Sequence, residues 1–133
     1  KLAEEFRSSM HTYFILDNLE TLRKNGRMSG VAALVVSTLN IKPIMIGNKG
    51  VIEQKSKCIG MKKALSKLAD IMVEEILDKE NKSLMITHCN APEKAEYLKN
   101  CIEEKMKFKL IRIMDTRGIS SLYANDGGII VTA

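Results

Sequence analysis

The chain has 133 residues, 45% of them hydrophobic, which is the size of one ordinary domain with a core of its own. Its 21 Lys and Arg against 16 Asp and Glu leave a net charge of +5, yet no basic run exceeds two residues, and three Tyr, three Phe and no Trp supply no stacking platform, so nucleic-acid binding is excluded as a leading reading. Three cysteines, Cys58, Cys89 and Cys101, are odd in number and widely spaced without CxxC, which argues against a disulfide framework and a zinc site and fits a reducing cytoplasm.

In chain order, Leu2 to Met10 reads as a helix and His11 to Leu16 as a strand rich in Tyr, Phe and Ile. Asp17 and Asn18 offer N-cap oxygens to a short helix, Leu19 to Lys24, which Asn25 and Gly26 stop. Ser29 can cap a further helix from Gly30 to about Leu39, apolar nearly all round and therefore expected to be buried. The uncharged run from Met28 to Ile41, about 14 residues, is too short to span a bilayer and too far along the chain for a signal peptide.

Ile41 to Ile46 and Val51 to Lys57 flank Gly47-Asn-Lys-Gly50, whose glycines can supply the positive φ of a hairpin turn. The second strand is polar after Ile52 and is expected at an edge. Met61, Ala64, Leu65, Leu68, Met72 and Ile76 recur every three or four residues and predict a long amphipathic helix from Gly60 to about Lys79. Leu84 to Cys89 reads as a strand, Pro92 opens a helix with Ala95, Leu98 and Ile102 as its buried stripe, Phe108, Leu110 and Ile113 mark another strand, and Ile129 to Thr132 a last one. The fold class is α+β, with a mixed or largely antiparallel sheet of five or six strands covered by helices.

The residues with most chemistry are Gly26, Arg27 and Ser29, set between two predicted helices, where backbone N–H groups and a fixed cation can meet an anionic group. Plainer roles compete: Arg27 as a cap of helix carbonyls or a bridge to Asp17, Ser29 as an N-cap, and Asp126-Gly-Gly128 as a turn before it is an anion-binding loop. His88 beside Cys89 could suggest nucleophilic chemistry, but neighbours on a strand point to opposite faces, so the imidazole is badly placed to activate the thiol. No catalytic residue and no metal ligand set is expected, and His11 reads as structural.

Phe14-Ile-Leu-Asp-Asn-Leu-Glu-Thr-Leu-Arg-Lys-Asn-Gly-Arg-Met-Ser29, followed by Leu39-Asn-Ile-Lys-Pro-Ile44 and Lys62-Lys-Ala-Leu65, resembles the C-terminal domain of the DegV family of fatty-acid-binding proteins along essentially the whole chain. The resemblance implies a two-domain protein that holds one long-chain fatty acid between its domains, needs no cofactor, has no catalytic residues, and in characterised members presents the carboxylate to a separate kinase subunit. The family's N-terminal α/β domain has no counterpart in these residues, so the chain reads as the second half of such a protein, or as a stand-alone second half.

On this resemblance the head group and interdomain face fall to Arg27, Ser29, Asn125, Gly127 and Gly128, and the acyl chain to Phe14, Leu16 and Met28. Two departures bear on the kinase. Members with demonstrated kinase partners tend to carry a His-Thr-Gly-Pro-Gly type motif where this chain has Tyr123-Ala-Asn-Asp-Gly-Gly128, so Ala124 stands for the histidine. An arginine and a threonine associated with docking are replaced by Ile59 and Gly60. The rival reading is a small α/β enzyme that grips a phosphate or carboxylate with Arg27 and the Asp126–Gly128 loop.

Overall fold

The computed structural model describes residues 1–27 and 40–133. The helix expected over Gly30 to Leu39, together with Met28 and Ser29, lies outside the described residues. Among them the elements run α1 (Leu2–Ser9), β1 (Thr12–Ile15), α2 (Glu20–Lys24), β2 (Ile41–Asn48), β3 (Val51–Ile59), α3 (Met61–Glu75), a 3-10 turn (Lys79–Asn81), β4 (Ser83–His88), α4 (Pro92–Lys105), β5 (Leu110–Asp115), α5 (Gly118–Ala124) and β6 (Ile129–Thr132). The strands form one sheet in the order β3-β2-β1-β6-β4-β5, antiparallel throughout except for the parallel pair β4 and β5. That is the mixed sheet expected, with six strands.

Strand alternation sorts side chains onto two faces. Tyr13 and Ile15 of β1, Ile129 and Val131 of β6, Ile44 of β2 and Leu84 and Ile86 of β4 enter the main core, where α3 brings Leu65, Leu68 and Met72 and α4 brings Ala95, Leu98 and Ile102. The intervening residues Phe14, Leu16, Met45 and Ile130 turn to the opposite face, where they meet Leu19, Leu22 and Ala124. A register shift between Ile44 and Met45 opposes Ile44 to Ser56 and Met45 to Gln54, leaving Lys55 as the extra residue. Ile52 therefore joins the second face while Cys58 packs against the main core.

Several expectations shift in detail. β3 is an edge strand, as its polar sequence implied. The hairpin turn takes its positive φ from Lys49 and Gly50, both left-handed as a two-residue type I′ turn requires, whereas Gly47 sits inside β2 without it. α3 stops at Glu75 rather than near Lys79: Ile76 still donates to the Met72 carbonyl and stays buried, but its backbone turns extended and Asp78 goes left-handed. Phe108 is buried ahead of β5, which begins at Leu110 and directs Ile111 and Ile113, not Leu110, at the core. α5 was not anticipated: it is seven residues long, Ile119 and Leu122 are exposed, and only Ala124 is buried.

Candidate functional site

The second face of the sheet carries an apolar slot of about 290 Å³. Thr12 and Phe14 of β1 and Leu16 just beyond it floor the slot, flanked by Ile52 of β3 and Ile130 of β6, and Leu22 of α2 with Tyr123 and Ala124 of α5 close its sides. Among the described residues, Arg27 is the one charged residue on this wall. It arrives there through the end of α2: Gly26, at φ 66°, donates to the Arg23 carbonyl, and the Arg27 N–H reaches back 3.0 Å to the Leu22 carbonyl. This is a Schellman ending, which glycine permits and which sets the residue after the glycine beside the last turn.

The plainer reading of Arg27 as a partner of Asp17 is corrected. Asp17 already binds Lys42 at 2.8 Å and Lys94, and Lys94 also donates to the Gly127 carbonyl. Burial raises the Asp17 carboxyl pKa, but hydrogen bonds from Lys42 and Lys94 outweigh it and hold the group below the usual carboxylate value. None of the ion pairs found among the described residues involves Arg27.

The turn after α5 sits beside the slot but offers a ligand little. Asn125 adopts φ 57° and ψ 174°; its side-chain Nδ2 donates to the Asn18 carbonyl and its side-chain Oδ1 accepts from the Thr21 hydroxyl, each at 3.1 Å. The Gly127 N–H donates to the Cys89 carbonyl at 2.8 Å and that of Gly128 to the Asn125 carbonyl at 3.3 Å. As free donors for a carboxylate, Gly127 and Gly128 are therefore corrected: their N–H groups hold the turn together. Asp126 is exposed and accepts from the Asn90 amide, which keeps its charge out of the slot. The enzyme reading loses its anion-binding loop on the same evidence.

Phe14 and Leu16 meet Arg27 on the slot wall, while Met28 and Ser29 lie outside the described residues. Thr12, Leu22, Ile52, Tyr123 and Ile130 line it without having been singled out. Strand alternation was the available signal, since Thr12 shares a face with Phe14, and Ile130 interrupts the buried pair Ile129 and Val131. Ala124, where the family's histidine was expected, presents only a methyl group to the slot. Ile59 is exposed and Gly60 is the left-handed cap of α3.

His88 belongs to the core face. Its Nδ1 accepts from the Ala91 N–H at 3.2 Å and its Nε2 lies 3.5 Å from Asp115, whereas Cys89 packs toward the slot face. The two side chains diverge as strand geometry requires. Among the described residues no group of three or more His, Cys, Asp or Glu could hold a metal ion, and no helix is long and apolar enough to cross a membrane.

Comparison with known proteins agrees with this architecture. A crystal structure of a DegV-family protein from Ruminococcus gnavus, refined with vaccenic acid, matches with a TM-score of 0.94 at 47% identity, covering 99% of this chain and 47% of that one. The fatty acid kinase B3 protein of Streptococcus pneumoniae, loaded with linoleic acid, matches with a TM-score of 0.83 at 26% identity, covering 98% and 47%. A DegV domain-containing protein of Streptococcus pyogenes is 33% identical over 132 residues, 95% of this chain and 45% of its own length. The chain thus spans about half the length of these relatives. With the family model for uncharacterised proteins of the DegV family matching residues 1–132, this chain belongs to the DegV family.

Proposed function

We propose that the chain forms one wall of a long-chain fatty-acid-binding site and works as a binding protein rather than as an enzyme. The observation that carries this is the slot itself: a continuous apolar floor from Thr12 to Leu16 with a single guanidinium, Arg27, on its wall. An acyl tail gains about 0.8 kcal/mol for each methylene taken out of water, and a carboxylate gains about 1.5 to 3 kcal/mol from a charge-assisted hydrogen bond. The Arg27 guanidinium supplies the donors for that bond. In this reading Ser29 serves the head group and Met28, Phe14 and Leu16 the tail, while Asn125, Gly127 and Gly128 keep the adjoining turn in shape.

The relatives bound to vaccenic and linoleic acid support this ligand class. In the two-domain protein we infer, the remaining head-group hydroxyls come from an N-terminal α/β domain. The kinase B3 neighbour supports a fatty-acid kinase subunit as partner, although Ala124, Ile59 and Gly60 depart from the residues associated with that partnership. A cytoplasmic setting fits both.

Native mass spectrometry of the full-length protein carrying this chain, purified from cells, tests the reading. A mass increment equal to one fatty acid, lost on delipidation and restored by vaccenate, is expected. A protein that arrives empty and takes up neither saturated nor unsaturated acids overturns it.

A further inference from the structure

We propose that Thr21 and Asn125 form a clamp that aims Arg27 at the slot, which makes Thr21 a positioning residue for the ligand's head group, a role that rests on the fatty-acid reading above. The clamp joins α5 to α2. The Asn125 side chain accepts from the Thr21 hydroxyl through Oδ1 and donates to the Asn18 carbonyl through Nδ2, each at 3.1 Å. One amide thus grips both α2 and the segment that leads into it. Tyr123 and Ala124, directly before Asn125, line the same slot as Arg27, so the clamp ties the arginine to the wall it faces the ligand with.

α2 needs such a grip. Its five residues make about one and a half turns, too few for a helix to stand alone. The ion pairs of Glu20 with Arg23 and Lys24 lie within the helix and do not tie it to the sheet. Leu19 and Leu22 press on the apolar cluster of the slot face, but they share one side of the helix and apolar contact has no direction. They hold α2 down without fixing its roll; the directional hydrogen bonds to Asn125 fix it. Roll matters for Arg27, because the Schellman ending fastens its N–H to the Leu22 carbonyl and the guanidinium follows the helix.

Backbone strain supports the assignment. Asn125 stands at φ 57° and ψ 174°, a combination that glycine adopts with far less strain. Asparagine at that position supplies the one thing glycine lacks there, the amide that reaches Asn18 and Thr21.

The test is a titration of the full-length protein with palmitate and with cetyl alcohol, which keeps the tail and drops the charge, in the native sequence, Thr21→Val, Thr21→Ser and Asn125→Gly. Thr21→Val and Asn125→Gly should each weaken palmitate by about threefold to tenfold, the range of a lost hydrogen bond, and Thr21→Ser should restore the native value. Cetyl alcohol should stay within about twofold throughout, because it makes no charge-assisted bond to Arg27. Asn125→Gly also relieves the strained backbone, so its Tm should stay within about 4 °C of the native value, and it reads out the clamp even if Thr21→Val does not fold. In an Arg27→Ala background Thr21→Val should add less than about twofold, since the clamp acts through that guanidinium. Folded variants that bind palmitate as the native protein does, that weaken both ligands equally, or that lose the same factor without Arg27 overturn this proposal alone; a native protein that binds neither ligand overturns the fatty-acid reading and this proposal with it.

Discussion

Arg27 reaches the slot because Gly26 accepts a left-handed backbone and ends α2 in a Schellman turn, so a local rule delivers a long-range contact. Arg27→Ala should weaken fatty-acid binding by at least about tenfold, or roughly 1.4 kcal/mol, in a fluorescent fatty-acid titration; unchanged affinity in a folded variant removes Arg27 from the site. Asn125 should behave differently, since its side chain is tied to Asn18 and Thr21 and its φ and ψ fall where glycine is at ease. Asn125→Ala is expected to cost about 1 to 3 kcal/mol of stability and less affinity than Arg27→Ala, with urea melts and binding measured on the same samples. Asp17 carries the acid sensitivity of this region. Its folded pKa lies below the unfolded value of about 3.9, because Lys42 and Lys94 outweigh burial, so its contribution is complete above that pH and is lost as pH falls through the lowered folded value. Asp17→Asn should flatten the acid limb of the stability profile below about pH 4 while leaving its shape at neutral pH unchanged.

Elements differ in how plainly the sequence announces them, and the difference follows the strength of their periodicity. α3 and α4 were legible because their stripes bury one side only, and Pro92 marks the start of α4. β3 was legible as an edge from its polar alternation. α5 was not, since its seven residues bury only Ala124 and its position is fixed by contacts with α2 and the sheet. Arg27, Phe14 and Leu16 line one slot, as residues of alternating strand positions and a helix end can, but the internal hydrogen bonds of Gly127 and Gly128 were not legible, because a glycine pair signals a turn without saying where its N–H groups point. The turn before β6 gives an element-level test. A Cβ at Gly128 would fall 2.5 Å from the Ala124 carbonyl oxygen and 3.0 Å from Leu16, where neither backbone nor packed core yields easily. Gly128→Ala should therefore lower stability by about 1 to 3 kcal/mol, whereas Gly47→Ala, with only a 3.7 Å contact, should stay close to the native protein in thermal melts.

Across the whole molecule, one sheet serves two purposes on its two faces. α3 and α4 seal one face into the main core, and the slot occupies the other, so side chains that fold the protein and side chains that line the slot alternate along β1 and β6. Leu98 lies in α4, fully buried on the sealed side and away from the slot lining. Leu98→Ala should cost about 2 to 5 kcal/mol of stability and leave fatty-acid affinity nearly unchanged, because distant sites without shared partners contribute additively. Ligand acts from the other face: vaccenate added at a hundred times its Kd should raise the stability of delipidated protein by about 2.7 kcal/mol. That increment should be the same in Leu98→Ala as in the native protein and should shrink in Arg27→Ala at equal ligand concentration. If instead Leu98→Ala loses affinity in proportion to its lost stability, the two faces are mechanically coupled through the sheet, and the slot is shaped by the core rather than by its own lining.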